Sequence, residues 1–203
     1  LRRRGYDQLI ELEVPRDEIH IPTVPAAFLL PDTITGYVRL QDFAEKTDHD
    51  LSEVLASLTR DGMKRLLLDV RGNPGGPLDQ AIKVSNQFLP QGMLIVFTRG
   101  RVPNSDQDYR ATEKSGYTSL PLVVLANRNS ASASEIVAGA LQDHDRALIV
   151  GETTFGKALV QSVYHISEGA GLAWTTARDD TPSGQRLQLP WYDTFDDYLS
   201  YRS

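Results

Sequence analysis

Three short apolar runs, each broken by a polar, glycine-bearing loop, set the pattern of the chain. Residues 65–70 lead into Arg71-Gly72-Asn73-Pro74-Gly75-Gly76. Residues 121–125 lead into Asn127 and the run Asn129-Ser130-Ala131-Ser132-Ala133-Ser134-Glu135. Residues 147–150 lead into Gly151-Glu152-Thr153-Thr154-Phe155-Gly156-Lys157. Runs of four to six β-branched and aliphatic residues bounded by turn residues read as buried strands. Between them the apolar spacing turns helical. Leu78, Ala81, Ile82 and Phe88 form one stripe, closed by Gly92. Ala131, Ile136, Val137, Ala140 and Leu141 form another, closed by Asp143-His144-Asp145. Glu135 lies early in that second helix, where the dipole favours an acid.

The same reading predicts a strand at 33–40 and a helix beginning at Thr47, with Thr47 and Asp50 near capping-box spacing. Leu51, Val54, Leu55 and Leu58 make its apolar face, and Gly62 falls just past its end. It predicts a strand at 93–98 and strands at 159–166 and 171–177 joined by a turn. Residues 100–119 read as a long polar loop, a flap over a site. Gln8 to Val14 alternates like a strand, followed by prolines at 15, 22 and 25. Alternating strands and helices give an α/β fold with a mainly parallel sheet. Right-handed crossovers then bring the loops at 71–76, 127–132 and 151–157 to one sheet edge, where open α/β sheets carry their sites.

Composition narrows the chemistry. The chain has 203 residues, 40% of them apolar, enough for a globular core. Net charge is −6, which argues against nucleic acid as a partner. There is no cysteine, so disulfides, thiol nucleophiles and thiolate metal sites are excluded. No apolar run is long enough to span a membrane, and no signal peptide is visible. No metal or organic cofactor is called for.

Ser132 falls at a strand-to-helix turn, where free backbone N–H groups can stabilise an anion. A serine hydroxyl needs a base. His20, His49 and His165 have no motif beside them, and His144 ends the helix roughly 18 Å from Ser132 at about 1.5 Å per residue. Lys157 follows the neighbouring strand, 25 residues on in sequence. An ammonium cannot act as a base, so the role requires desolvation, which Phe155, Leu159 and Val160 could supply. In an extended stretch Gln161 shares a face with Lys157 and could orient it. The amide of Ala133 and those of Gly75 or Gly76 are candidate oxyanion donors. Singly, each signal has a bland reading: a helix cap, a turn with a solvated lysine, an ordinary glycine turn. Glu135, Asp143 and Thr154 read as structural supports. Their convergence on one edge, in this order, favours catalysis.

These three motifs, with Ile136-Val137-Ala138-Gly139-Ala140-Leu141-Gln142-Asp143, Val160-Gln161 and Thr181-Pro182-Ser183-Gly184, closely resemble the carboxyl-terminal processing peptidases, or tail-specific serine proteases. The resemblance covers residues 20–190. It implies a crotonase/Clp-protease-like β-α spiral core. It implies Ser132 as nucleophile, Lys157 as general base, Gln161 as the residue orienting the lysine, and an oxyanion hole of Gly75, Gly76 and Ala133. It divides the chain into the end of a PDZ-like module and linker at 1–24, a catalytic core at 25–190 and a C-terminal tail at 191–203, with the PDZ domain otherwise missing. The implied activity is serine endopeptidase cleavage near protein C-termini through an acyl-enzyme, on substrates bound in extended form. The implied location is the bacterial periplasm or cell envelope, and homo-oligomerisation is left open. The family commonly has glycine after the lysine. Here it is Ala158, which would be strained if that position needs positive φ. Two alternatives are weighed against the protease: a catalytically idle peptide-binding core of the same fold, and a crotonase-like enzyme acting on acyl thioesters.

Overall fold

The computed structural model describes residues 2–16, 21–101, 103 and 105–189. The chain runs through β1 (Ala26–Leu29), β2 (Thr35–Arg39), α1 (Thr47–Arg60), β3 (Arg65–Asp69), α2 (Leu78–Asn86), β4 (Leu94–Gly100) and β5 (Gln107–Arg110). It continues through β6 (Leu122–Ala126), α3 (Ala133–Asp143), β7 (Leu148–Gly151), β8 (Leu159–His165) and β9 (Gly171–Asp180). A five-stranded sheet has the order β1-β2-β3-β6-β7. Its strands are parallel except for β1, which pairs antiparallel with β2. This is the α/β core with a mainly parallel sheet that the pattern predicts.

The two faces of this sheet differ. Val38, Leu68 and Val124 stand side by side on one face and are fully buried in the cluster that includes Leu51 and Leu55 of α1, Val84 of α2 and Val137 and Leu141 of α3. Truncating such a residue, Leu68→Ala for instance, costs about 2–5 kcal/mol. The opposite face carries Phe28, Tyr37, Leu67, Val123 and Leu148 in one cross-strand row. None of these five belongs to the core cluster.

Residues 147–150 were expected to form a buried strand. Instead β7 is an edge, with Leu148 65% and Val150 43% exposed. Residues 8–14 form no strand and are mostly exposed. The 100–119 stretch is not a loop throughout, since β5 pairs with β4 and opens a second, antiparallel sheet of order β5-β4-β9-β8. That strand, Gln107-Asp108-Tyr109-Arg110, is too polar to show a hydrophobic period. Thr47 is the first helical residue of α1 rather than its cap. Its hydroxyl accepts from the amide of Ala44 at 2.8 Å.

The two sheets meet where the candidate site lies. The segment between β7 and β8 carries the chain from the parallel sheet into the antiparallel one, and Lys157 sits on that passage.

Candidate active site

The three loops do share one edge, and hydrogen bonds knit them. The buried Ser130 hydroxyl donates to the carbonyl of Val70 at 2.8 Å and accepts from the amide of Asn127. The Asn73 carbonyl accepts from the amide of Ala131 at 3.0 Å and from the Ser134 hydroxyl at 3.1 Å. The amide of Phe155 donates to the Ser130 carbonyl at 3.0 Å. Alternate serines of the run are therefore buried struts, and only the middle one, Ser132, is partly open. The motif displays this division of labour only once the small alanines between the serines are seen to let the loops touch.

Ser132 adopts φ 55° and ψ −113° immediately before α3. A positive φ is uncommon outside glycine, and such strain persists only where surrounding contacts over-determine it. Serine nucleophiles on sharp strand-to-helix turns have this character, with the hydroxyl thrown clear of the backbone. Gly75 is what allows the neighbouring loop to fit. A Cβ there would fall 2.6 Å from the Ala131 carbonyl, 2.7 Å from Ser132 Cβ and 2.9 Å from the Ala133 nitrogen.

The oxyanion candidates separate on inspection. Ala133 begins the helix, so its amide has no intrahelical partner. The Gly75 N–H is already spent on Asn73 Oδ1 at 2.9 Å. The Gly76 N–H makes no hydrogen bond among the described residues.

Glu135 is the residue whose role the sequence understates. It is 2% exposed. Its Oε2 accepts from the amides of both Ser132, at 2.8 Å, and Lys157, at 2.9 Å, and its Oε1 accepts from that of Gly156 at 2.6 Å. Burial pushes its carboxyl up. The amides of Lys157, Gly156 and Ser132 and the Thr154 hydroxyl oppose that shift without cancelling it. The lysine loop is pinned from its other side as well. The Leu189 amide donates to the Gly156 carbonyl at 3.1 Å, and that of Ala158 donates to Gln188 Oε1 at 2.9 Å. Ala158 is buried and does not adopt positive φ, so the strain anticipated for it is absent.

The lysine side chain differs from expectation. Lys157 is exposed, and so is Gln161. Phe155, Leu159 and Val160, which were to shield the amine, are themselves only half-buried. Among the described residues no hydrogen bond joins the side chains of Ser132, Lys157 and Gln161. The histidines are elsewhere: His49 faces Glu53 on α1, His144 meets the Leu94 carbonyl at 2.6 Å, and His165 is exposed on β8. His20 lies outside the described residues.

A serine on a strained turn at a helix start and a lysine-bearing loop are thus tied to one carboxylate on an α/β core. The chain belongs to peptidase family S41, whose model matches residues 34–190. It is 43% identical over 192 residues to a carboxy-terminal-processing protease of Bartonella bacilliformis, covering 93% of this chain and 43% of that protein. It is 36% identical over 185 residues to the carboxy-terminal processing protease CtpA of Bacillus subtilis, covering 91% of this chain and 39% of that one. Among solved structures, a photosystem II D1 C-terminal processing protease superposes with TM-score 0.69 at 39% identity, over 82% of this chain and 43% of the other. The chain thus spans well under half the length of these relatives. Its fold is that of the S41 proteases, as the resemblance implied. No helix among the described residues is long and apolar enough to cross a membrane.

Proposed function

We propose that this chain is the catalytic core of a carboxyl-terminal processing serine endopeptidase working through a Ser132–Lys157 dyad. The observation that carries the reading is that one oxygen, Glu135 Oε2, holds the backbone amides of both residues. Lys157, as a neutral amine, takes the Ser132 proton. The hydroxyl attacks the scissile carbonyl, and the tetrahedral oxyanion is met by the amides of Ala133 and Gly76. Gly75 serves by permitting close approach, because its own amide is occupied. The protonated Lys157 gives its proton to the leaving amine, an acyl-enzyme remains on Ser132, and water hydrolyses it with Lys157, neutral once more, as base. Gln161 orients the lysine.

Lys157 is exposed, and the proposed role requires its amine to be shielded from water during the chemistry. The extended substrate segment is the cover we infer, since it must lie across the same edge to present its carbonyl to Ser132. The names of the relatives point to cleavage near protein C-termini, and the bacterial envelope is the location by analogy. Family membership displaces the thioester reading. The idle-core reading is separated by a covalent probe: a fluorophosphonate should label Ser132 in the full chain, with loss of labelling and of peptide hydrolysis in Ser132→Ala and Lys157→Ala. A correctly folded chain unlabelled at Ser132 would overturn the proposal.

A further inference from the structure

We infer that Glu135 is a positioning residue that sets the register between nucleophile and base, and that it does so only as a carboxylate. The inference rests on the dyad reading above. Three backbone N–H groups and the Thr154 hydroxyl converge on one buried side chain. A carboxylate has acceptor sites for all of them and no proton to place against a donor. A carboxamide of the same shape must turn its NH2 toward at least one N–H, and a protonated carboxyl loses its charge and an acceptor site, so the grip on the loops weakens. If the oxygen facing Ser132 and Lys157 is lost, both amides lose the atom they share.

The charge is held there against the interest of the fold. Burial raises the carboxyl of Glu135, so its contribution to stability is complete at low pH and is lost as pH rises through its folded-state titration. A merely structural acid would be expected to serve equally well as its neutral isostere. Among the described residues no ion pair to it is formed. Lys157 points its side chain to solvent, Arg71 is paired with Asp69, Arg128 with Glu152, and Asp143 and His144 lie at the far end of α3. What an anion secures at this point is the placement of two residues from separate loops, and misplacement of reacting groups by about 1 Å can cost 10²-fold in rate.

The test is the rate of fluorophosphonate labelling at Ser132 against pH, in the full chain, for wild type, Glu135→Gln and Glu135→Asp, alongside thermal unfolding. Wild type should show an acid limb. Glu135→Gln should label about 100-fold more slowly across the range, without that limb, while unfolding no earlier than wild type at alkaline pH. Glu135→Asp, shorter but anionic, should keep an acid limb at reduced rate. Amide exchange at Gly156 and Lys157 in wild type gives a readout without substitution: protection of both should fall together as the acid limb is crossed. Wild-type rate and profile in Glu135→Gln, or amides that stay protected through the acid limb, would overturn the clamp alone. Wild type unlabelled at Ser132 would overturn the dyad and the clamp with it.

Discussion

Ser132 and Lys157 share a backbone anchor and differ in everything beyond it. The serine is half-buried, strained into positive φ, and hemmed by Gly75 on one side and the start of α3 on the other. The lysine backbone is bonded at Gly156, Lys157 and Ala158, yet its side chain stands in solvent. On the proposed reading, the fold finishes the nucleophile and leaves the base to be covered by a bound peptide. That asymmetry is what the following measurements sharpen or break.

The largest effect belongs to the finished half. Ser132→Ala should remove labelling and reduce peptide hydrolysis by at least about 10³-fold, with no loss of fold. Lys157→Ala should lower kcat by roughly 10²–10⁴-fold, the worth of a general base. Hydrolysis that persists at the wild-type rate in Lys157→Ala would assign the base elsewhere. Gly75→Ala introduces a Cβ into the Ser132 turn at φ 92°. It should cut hydrolysis by about 10²–10³-fold, the scale of a spoiled oxyanion hole, and lower stability by about 1–3 kcal/mol.

Much of this was readable beforehand, and the reasons it stopped are physical. The strands at 65–69 and 122–126 and all three helices follow from local periodicity and punctuation. The three-loop edge follows from the handedness of crossovers, and the proposed dyad was suggested by the residues those loops carry. The Glu135 clamp was not legible, because its bonds run to amides 21 and 22 residues away and leave no trace in spacing. The positive φ of Ser132 has no sequence signal; around it the Asn73 carbonyl holds Ala131 and Ser134, and Glu135 holds the Ser132 amide. Residues 8–14 show the converse: their alternation is not matched by a strand. Lys157 shows why flanking apolar residues do not amount to burial. They bracket it along the chain without closing over it.

Away from the site, the second sheet holds a group that costs stability. Asp179 on β9 is 7% exposed, and its Oδ1 has no partner among the described residues. Burial, then the adjacent Asp180, pushes its carboxyl up to about 7. Its folded-state value is raised, so the stability it contributes is complete at acid pH and is lost as pH rises through about 7. The loss is on the order of a few kcal/mol. Asp179→Asn should flatten the fall of Tm with pH on the alkaline side. An equally steep fall in the variant would place the titrating group elsewhere. The smallest effect should come from Gln161→Ala, about tenfold in kcat, the value of one hydrogen bond of about 1.4 kcal/mol.

The most direct test is a crystal structure of the full chain with a peptide carbonyl trapped covalently on Ser132. Lys157 Nζ should then lie about 2.6–3.2 Å from Ser132 Oγ and be shut off from water by the bound peptide. A lysine still extended into solvent, with the serine acylated beside it, would contradict the dyad.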